Sequence, residues 1–212
     1  MPYNNPYIEK IRNHPHILTD EAKIFAMRGG WRGYCKKDRL MLEIGTGMGN
    51  FFSKYASEHP DTGCIGIELK YKRLHRTYEK SEQKGRGDVV VMRIMGQEIT
   101  EIFAPGEIDE LYLLFSDPWP KKKHFHNRVI QDDFLRDAAS ILSENGIFLI
   151  KTDEASYAEW IEEHLIRSPY FTFEKISDDE PDKRPSPDNS TEFETMGRRE
   201  GSKIVSFLCR KK

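Results

Sequence analysis

"RLMLEIGTGMGNFFSKYASEHPDTGCIGIELK", Arg39 to Lys70, contains the unit on which the fold turns. It opens with a short apolar run, 39–45, that ends in glycine. An amphipathic stretch, 49–60, follows and stops at Pro60, and a second apolar run, 62–69, closes the unit. Short apolar runs bounded by Gly and Pro read as buried strands, and the longer periodic stretch between them as a helix. Strand, turn, helix and strand in this order imply a right-handed crossover between parallel neighbours.

The alternation continues downstream. "YKRLHRTYEKSEQKG" (71–85) is helical with a glycine stop, "DVVVMRIM" (88–95) is a β-branched strand, and "GQEITEIFAPG" (96–106) makes a short helix and turn. "DELYLLFS" (109–116) is the next strand. "VIQDDFLRDAASILSENG" (129–146) sets Val129, Phe134, Leu135, Ala138, Ile141 and Leu142 near helical spacing, with Gly146 as its stop. "IFLIKTD" (147–153) is a strand and "EASYAEWIEEHLIRS" (154–168) a helix. The last two strands, 170–176 and 203–210, are separated by a polar loop with no helix, which implies an antiparallel, hairpin-like edge. Within that loop, 177–190 is rich in Pro, Asp and Ser and reads as mobile without substrate.

The expected architecture is therefore α/β, a single doubly wound (Rossmann-like) sheet. It is mostly parallel, with helices on both faces and an antiparallel C-terminal strand. Residues 1–38 read as an N-terminal extension with one short helix, "TDEAKIFAMRGG", capped by Thr19 or Asp20 and closed by Gly29 and Gly30. Residues 39–212 form the domain itself.

Composition narrows the class. The chain has 212 residues, 37% of them hydrophobic, which is enough to bury a core and argues against wholesale disorder. No apolar run approaches the roughly twenty residues of a membrane helix. The first residues lack the basic-then-apolar pattern of a secretory signal. Cys35, Cys64 and Cys209 lie far apart with no CxxC, and read as reduced thiols of a cytoplasmic protein. The net charge is only -2, but the cations are gathered in 70–80, 121–128 and at the C-terminus. A local polyanion contact therefore stays open despite the acidic balance. Monomer and homodimer are both compatible with these features.

"LEIGTGMGNF" places Gly45, Gly47 and Gly49 after the first strand and before a helix, where glycines allow a sharp turn and close ligand approach. The spacing is G-x-G-x-G rather than the dinucleotide G-x-G-x-x-G. Glu68 ends the next strand, where a carboxylate can accept from the cis hydroxyls of a ribose. Together these fit an adenosine cofactor without a pyrophosphate, S-adenosylmethionine, although the glycine turn alone reads equally as a tight βα connection. Glu43 lies inside the first strand and needs a partner: a cofactor ammonium, or a neighbouring Lys or Arg.

"LLFSDPWPKKKHFHNR", 113–128, passes from strand to acid, to a rigid proline–tryptophan corner, to cations. The strand before it is expected beside the first strand, where the chain order reverses, so that Ser116 and Asp117 reach the crevice rim. Pro118 and Pro120 restrict the corner. Trp119 is then either a stacking surface or a cap on the sheet edge. Lys122, Lys123, His124 and Arg128 are candidates for RNA phosphate contacts, because the run abuts a pocket. His124 and His126 lack a third ligand nearby, and no metal is expected.

These motifs resemble the tRNA (guanine-N7-)-methyltransferase family. The resemblance is carried by "LEIGTGMGNF", "GIELK", "FSDPWPKKKH", the "KTD" ending the 147–153 strand, and "TEFE" at 191–194. It covers nearly the whole chain from about residue 40. It implies a class I S-adenosylmethionine-dependent methyltransferase acting on N7 of a variable-loop guanine, position 46 of tRNA. Glu43, Glu68 and Asp117 resemble the family's cofactor contacts, and Asp117 its catalytic acid. Lys121, Asp153, Thr191, Glu192, Phe193 and Glu194 resemble its substrate-binding positions. Two departures stand out. Met95, Gly96 and Gln97 replace the family's Asn/Asp-Ala near the adenine, so that contact is expected from a backbone group, Gln97 or Glu98. Phe125, His126 and Asn127 interrupt its basic run. An alternative is methylation of an exocyclic base amine of DNA or RNA, and another is a non-catalytic RNA-binding subunit.

Overall fold

The computed structural model describes residues 5–177, 194, 201 and 203–212. The central unit forms as β2 (Arg39–Ile44), α4 (Asn50–Glu58) and β3 (Thr62–Ile67), followed by α5 (Tyr71–Gln83) and β4 (Val90–Met92). A 3-10 turn, Gly96–Glu98, leads into α6 (Ile99–Ile102), then β5 (Ile108–Leu114). After a loop and a second 3-10 segment, Lys122–Asn127, come α7 (Asp132–Ile141), β6 (Leu142–Thr152), α8 (Ala155–Arg167), β7 (Phe171–Ser177) and β8 (Val205–Lys211).

Among the described residues the strands make one eight-stranded sheet in the order β1-β4-β3-β2-β5-β6-β8-β7, with β1 (Ile17–Leu18) at one edge. The chain runs outward from β2 through β3 to β4, then crosses to β5 on the other side of β2. That reversal opens a crevice at the carboxyl ends of β2 and β5, where open α/β sheets bind ligands. All pairs up to β6 are parallel. β8 inserts antiparallel between β6 and β7, so β7 forms the edge.

Strand periodicity divides the core. Leu40, Leu42 and Ile44 join one buried cluster with Ile24, Trp31 and Cys35 from the segment before β2 and with residues of α6, α7 and α8. Met41 joins the other, with Phe51, Tyr55 and Tyr78 from α4 and α5. Both faces of the sheet are covered, which is why its strands read as nearly continuous apolar runs. Glu43 points to the same face as Met41, since side chains alternate along a strand.

Three local differences from the sequence reading have physical causes. The predicted 129–146 helix ends at Ile141 because Leu142 pairs with Ile108 and starts β6, with a register shift before Glu110. Ahead of β2, two further helices, α1 (Pro6–Ile11) and α3 (Trp31–Cys35), accompany the expected α2 (Glu21–Ala26), whose cap is Asp20. These short segments are held by packing, not by their own propensity. Trp31 is buried against Phe103 and donates through Nε1 to the Ile102 carbonyl, 2.8 Å away. Among the described residues no helix is long and apolar enough to cross a membrane.

Candidate active site

The crevice has a volume of ≈ 650 Å³, a size suited to a nucleoside-sized ligand. Its floor is the glycine turn after β2. Gly45 and Gly47 line it with φ of 82° and 55°, and a Cβ on either would meet open space. The sequence reading put Gly49 with them, but it does not line the crevice. A Cβ there would stand 2.5 Å from Thr77 Cα of α5, and its φ is 75°. Gly49 therefore lets α4 pack against α5, which is a structural requirement. Close by, Thr46 Oγ1 lies 3.0 Å from Thr77 Oγ1, tying the turn to the same helix.

Glu68 follows β3 and is buried. Its Oε2 accepts from the Gly47 N–H at 3.0 Å and its Oε1 from the Lys70 N–H at 2.9 Å. Each oxygen keeps a further acceptor site, and the carboxylate is fixed in orientation. Glu43 is 2% exposed, and its Oε2 has no hydrogen-bond partner among the described residues. Among the described residues no Lys or Arg pairs with it. Burial, and secondarily the Glu68 charge, push the Glu43 carboxyl well above the usual carboxylate range. An orphaned buried acceptor facing a cavity calls for a cationic or donor group from a ligand.

Met95, Gly96 and Gln97 line the opposite wall. Met95 is 45% exposed, and a Cβ on Gly96 would meet Ile44 Cγ2 at 2.5 Å, so glycine lets this wall close on β2. Glu98, the other candidate for the adenine contact, does not line the crevice.

Phe115, Ser116, Asp117 and Trp119 form the β5 side of the rim. Phe115 and Trp119 carry left-handed φ values of 55° and 44°. Such values in aromatic residues cost about 1–3 kcal/mol each and persist only where the surroundings enforce them. Trp119 packs on His124 at a centroid distance of 5.7 Å. His126 and Asn127, the positions interrupting the basic run, also line the crevice, as do Lys70 and Arg73. The sequence reading assigned none of these four to the site. Lys70 was findable, since it follows closely on a strand end that must border the crevice, whereas Arg73 lies in the first turn of α5.

The remaining candidates scatter. Lys121, Lys122 and Lys123 are exposed beside the rim. Asp153 is exposed just beyond β6 and outside the crevice lining. Arg128 is corrected: it is 2% exposed and donates from Nε to the Pro118 carbonyl at 2.8 Å. Its guanidinium is enclosed by aromatic rings, so it is not available to a phosphate in this conformation. Glu194 is likewise 1% exposed, with Oε2 3.0 Å from Lys151 Nζ on β6. A buried carboxylate needs such a cation, so this one serves as an internal tie and does not face the crevice. Thr191, Glu192, Phe193 and the 178–190 stretch lie outside the described residues. No group of three or more His, Cys, Asp or Glu that could hold a metal occurs among the described residues.

Residues 37–207 match a family model described as "Putative methyltransferase". The chain is 38% identical over 159 residues to the tRNA (guanine-N(7)-)-methyltransferase of Geobacillus kaustophilus, covering 74% of this chain and 72% of that one. It is 31% identical over 195 residues to the protein of the same name from Bdellovibrio bacteriovorus, covering 90% and 93%. Among solved structures, TrmN from Thermus thermophilus superposes with a TM-score of 0.59 at 17% identity, over 91% of this chain and 48% of that one, a likeness of fold.

Proposed function

The chain belongs to the tRNA (guanine-N7-)-methyltransferase family, and from that premise we propose that it methylates N7 of the variable-loop guanine of tRNA, position 46, using S-adenosylmethionine. The observation that carries this reading is the conjunction of three carboxylates around one crevice. Glu43 is buried with its Oε2 unpartnered among the described residues, Glu68 is oriented by two backbone N–H groups, and Asp117 stands on the rim. A cytoplasmic location goes with a tRNA substrate.

The residues fit the cofactor. Glu43, whose Oε2 is orphaned among the described residues, would hold the ammonium, Glu68 would accept from the ribose hydroxyls, and Met95 to Gln97, on the crevice wall, would border the adenine. The bound cofactor supplies a sulfonium methyl to guanine N7, which bears a lone pair and no proton. No general base is then required of the chain. Asp117 is exposed on the rim and can accept from the N1–H and N2 amino edge of the guanine, offsetting the positive charge the base acquires. Trp119 stiffens the loop that presents this carboxylate. Lys121, Lys122 and Lys123 contact tRNA phosphates and bring the variable loop to the crevice. The family resemblance assigns further substrate contacts to Asp153, exposed just beyond β6, and to 191–193. The guanine must leave its tertiary contacts first, at a cost of a few kcal/mol. Most of the acceleration is therefore orientation of the base by chain groups.

The test is to incubate the protein with labelled S-adenosylmethionine and unmodified bulk tRNA, digest the RNA and identify the labelled nucleoside. The expected product is 7-methylguanosine at the variable loop. Label in methylated adenine or cytosine, or no label at all, overturns the reading.

A further inference from the structure

Asp117 is exposed on the rim, and among the described residues no hydrogen bond fixes its carboxylate, although its charge acts on Tyr157. Its two chain neighbours are held instead. Ser116 Oγ lies 3.2 Å from the hydroxyl of Tyr157, a fully buried residue of α8. The Pro118 carbonyl accepts from Arg128 Nε at 2.8 Å.

Arg128 is in turn enclosed by rings. Its guanidinium carbon lies 3.7 Å from the Phe125 centroid, 4.9 Å from Trp160 and 5.2 Å from Tyr157. Trp160 is pinned by a 2.7 Å bond from Nε1 to the Ile130 carbonyl and meets Phe125 edge-on at 5.3 Å. The Arg128 Nη2 is buried without a hydrogen-bond partner among the described residues. For stability alone, an apolar side chain of similar length would avoid the desolvation of a guanidinium so incompletely bonded. The loop it grips contains the left-handed Phe115 and Trp119, a backbone shape that needs external constraint.

We propose that Arg128 and Tyr157 are positioning residues for methyl transfer, clamping Pro118 and Ser116 so that Asp117 is held against the base. The role rests on the methyltransferase reading above. It also explains why Phe125 interrupts the lysine run: the ring is the platform on which the guanidinium lies, not a missing phosphate contact.

The test measures single-turnover 7-methylguanosine formation at saturating tRNA and S-adenosylmethionine, with cofactor and tRNA affinities determined separately. Arg128→Met is expected to slow turnover roughly 10–100-fold, the effect of a misplaced catalytic group. Cofactor affinity should stay within about twofold of wild type, because Glu43 and Glu68 sit on and beyond other strands. Tyr157→Phe, which removes only the hydroxyl, is expected to slow turnover about 3–10-fold. Arg128→Lys should recover part of the Arg128→Met loss, since the ammonium can reach the carbonyl but cannot stack. Because the clamp works through Asp117, the double variant Asp117→Asn with Arg128→Met should be no slower than Asp117→Asn alone. A wild-type rate in folded Arg128→Met, multiplicative losses in the double variant, or a loss confined to tRNA affinity overturns the clamp. If Arg128→Met does not fold, Tyr157→Phe decides: a wild-type rate there overturns it. Wild-type protein is measured in parallel. Absence of 7-methylguanosine from wild type rejects the proposed function, whereas its formation at equal rates by wild type and variants rejects only the clamp.

Discussion

Glu43 and Glu68 share one crevice, and each is incomplete in a different way. Glu68 has both oxygens tied to backbone N–H groups, whereas Glu43 Oε2 is buried with no partner among the described residues. Burial, with the Glu68 charge adding to it, keeps a proton on Glu43 at pH values where an ordinary carboxylate has lost it.

The sign of the resulting pH dependence is definite. The folded protein binds more protons than the unfolded chain between the ordinary glutamate value and the raised one. Stability therefore falls as pH rises through that window. Glu43→Gln removes the penalty and should raise the melting temperature at neutral pH relative to wild type. Thermal unfolding across pH values checks this, and a variant less stable than wild type at neutral pH would contradict it.

Binding a cation beside Glu43 requires the ionised form. Cofactor affinity should thus strengthen as pH rises through the raised value, with release of a proton. Calorimetry in two buffers of different ionisation enthalpy measures that proton. In Glu43→Gln the pH dependence should flatten and affinity should fall roughly 10–100-fold, as expected for losing a charged hydrogen-bond partner.

Asp117→Asn should leave the fold intact and lower single-turnover methyl transfer by roughly 100-fold, in line with removal of one group aimed at developing charge. Activity within about twofold of wild type would remove Asp117 from the mechanism.

Gly49 and Gly47 should respond differently to alanine. Gly49→Ala combines a left-handed φ with a contact 2.5 Å from Thr77 Cα, and should cost roughly 2–4 kcal/mol in urea unfolding. Gly47→Ala has the same kind of φ but meets open space, so it should cost only about 1–2 kcal/mol. Its methyl group would instead act at the crevice, and calorimetry should show weaker cofactor binding.

Lys122→Ala with Lys123→Ala should weaken tRNA binding and make log affinity less steep in log salt, by about one unit for each phosphate these lysines neutralise. The rate at saturating tRNA should be kept. An unchanged salt slope would show that these lysines are only solvated surface.

Much of the site was legible because it follows from strand ends. Once 39–45, 62–69 and 109–116 read as parallel strands, the residues after them had to border one crevice, and Gly45, Gly47, Glu68 and Asp117 do. Lys70 obeys the same rule and Arg73 follows it in the first turn of α5, although nothing in residue type separates them from a solvated helix face. The residues misread were those whose chemistry depends on what packs around them. Arg128 reads as one more cation in a basic run, and only the convergence of Phe125, Tyr157 and Trp160 shows it buried. Gly49 reads as the third glycine of a binding turn until Thr77 is found against it.

By itself, the order of apolar runs and breakers determined a doubly wound sheet, the position of its crevice and the carboxylates around it. Periodicity and turn chemistry are local properties, readable within a dozen residues. Tertiary structure alone decided that β8 enters between β6 and β7, that β1 extends the far edge, and that Arg128 and Glu194 are inside. Those outcomes join residues far apart in sequence, and a charged group's burial depends on the partners that meet it in space. Lys151 stands 43 residues before the Glu194 it pairs with, and Trp160 stands 32 after the Arg128 it covers.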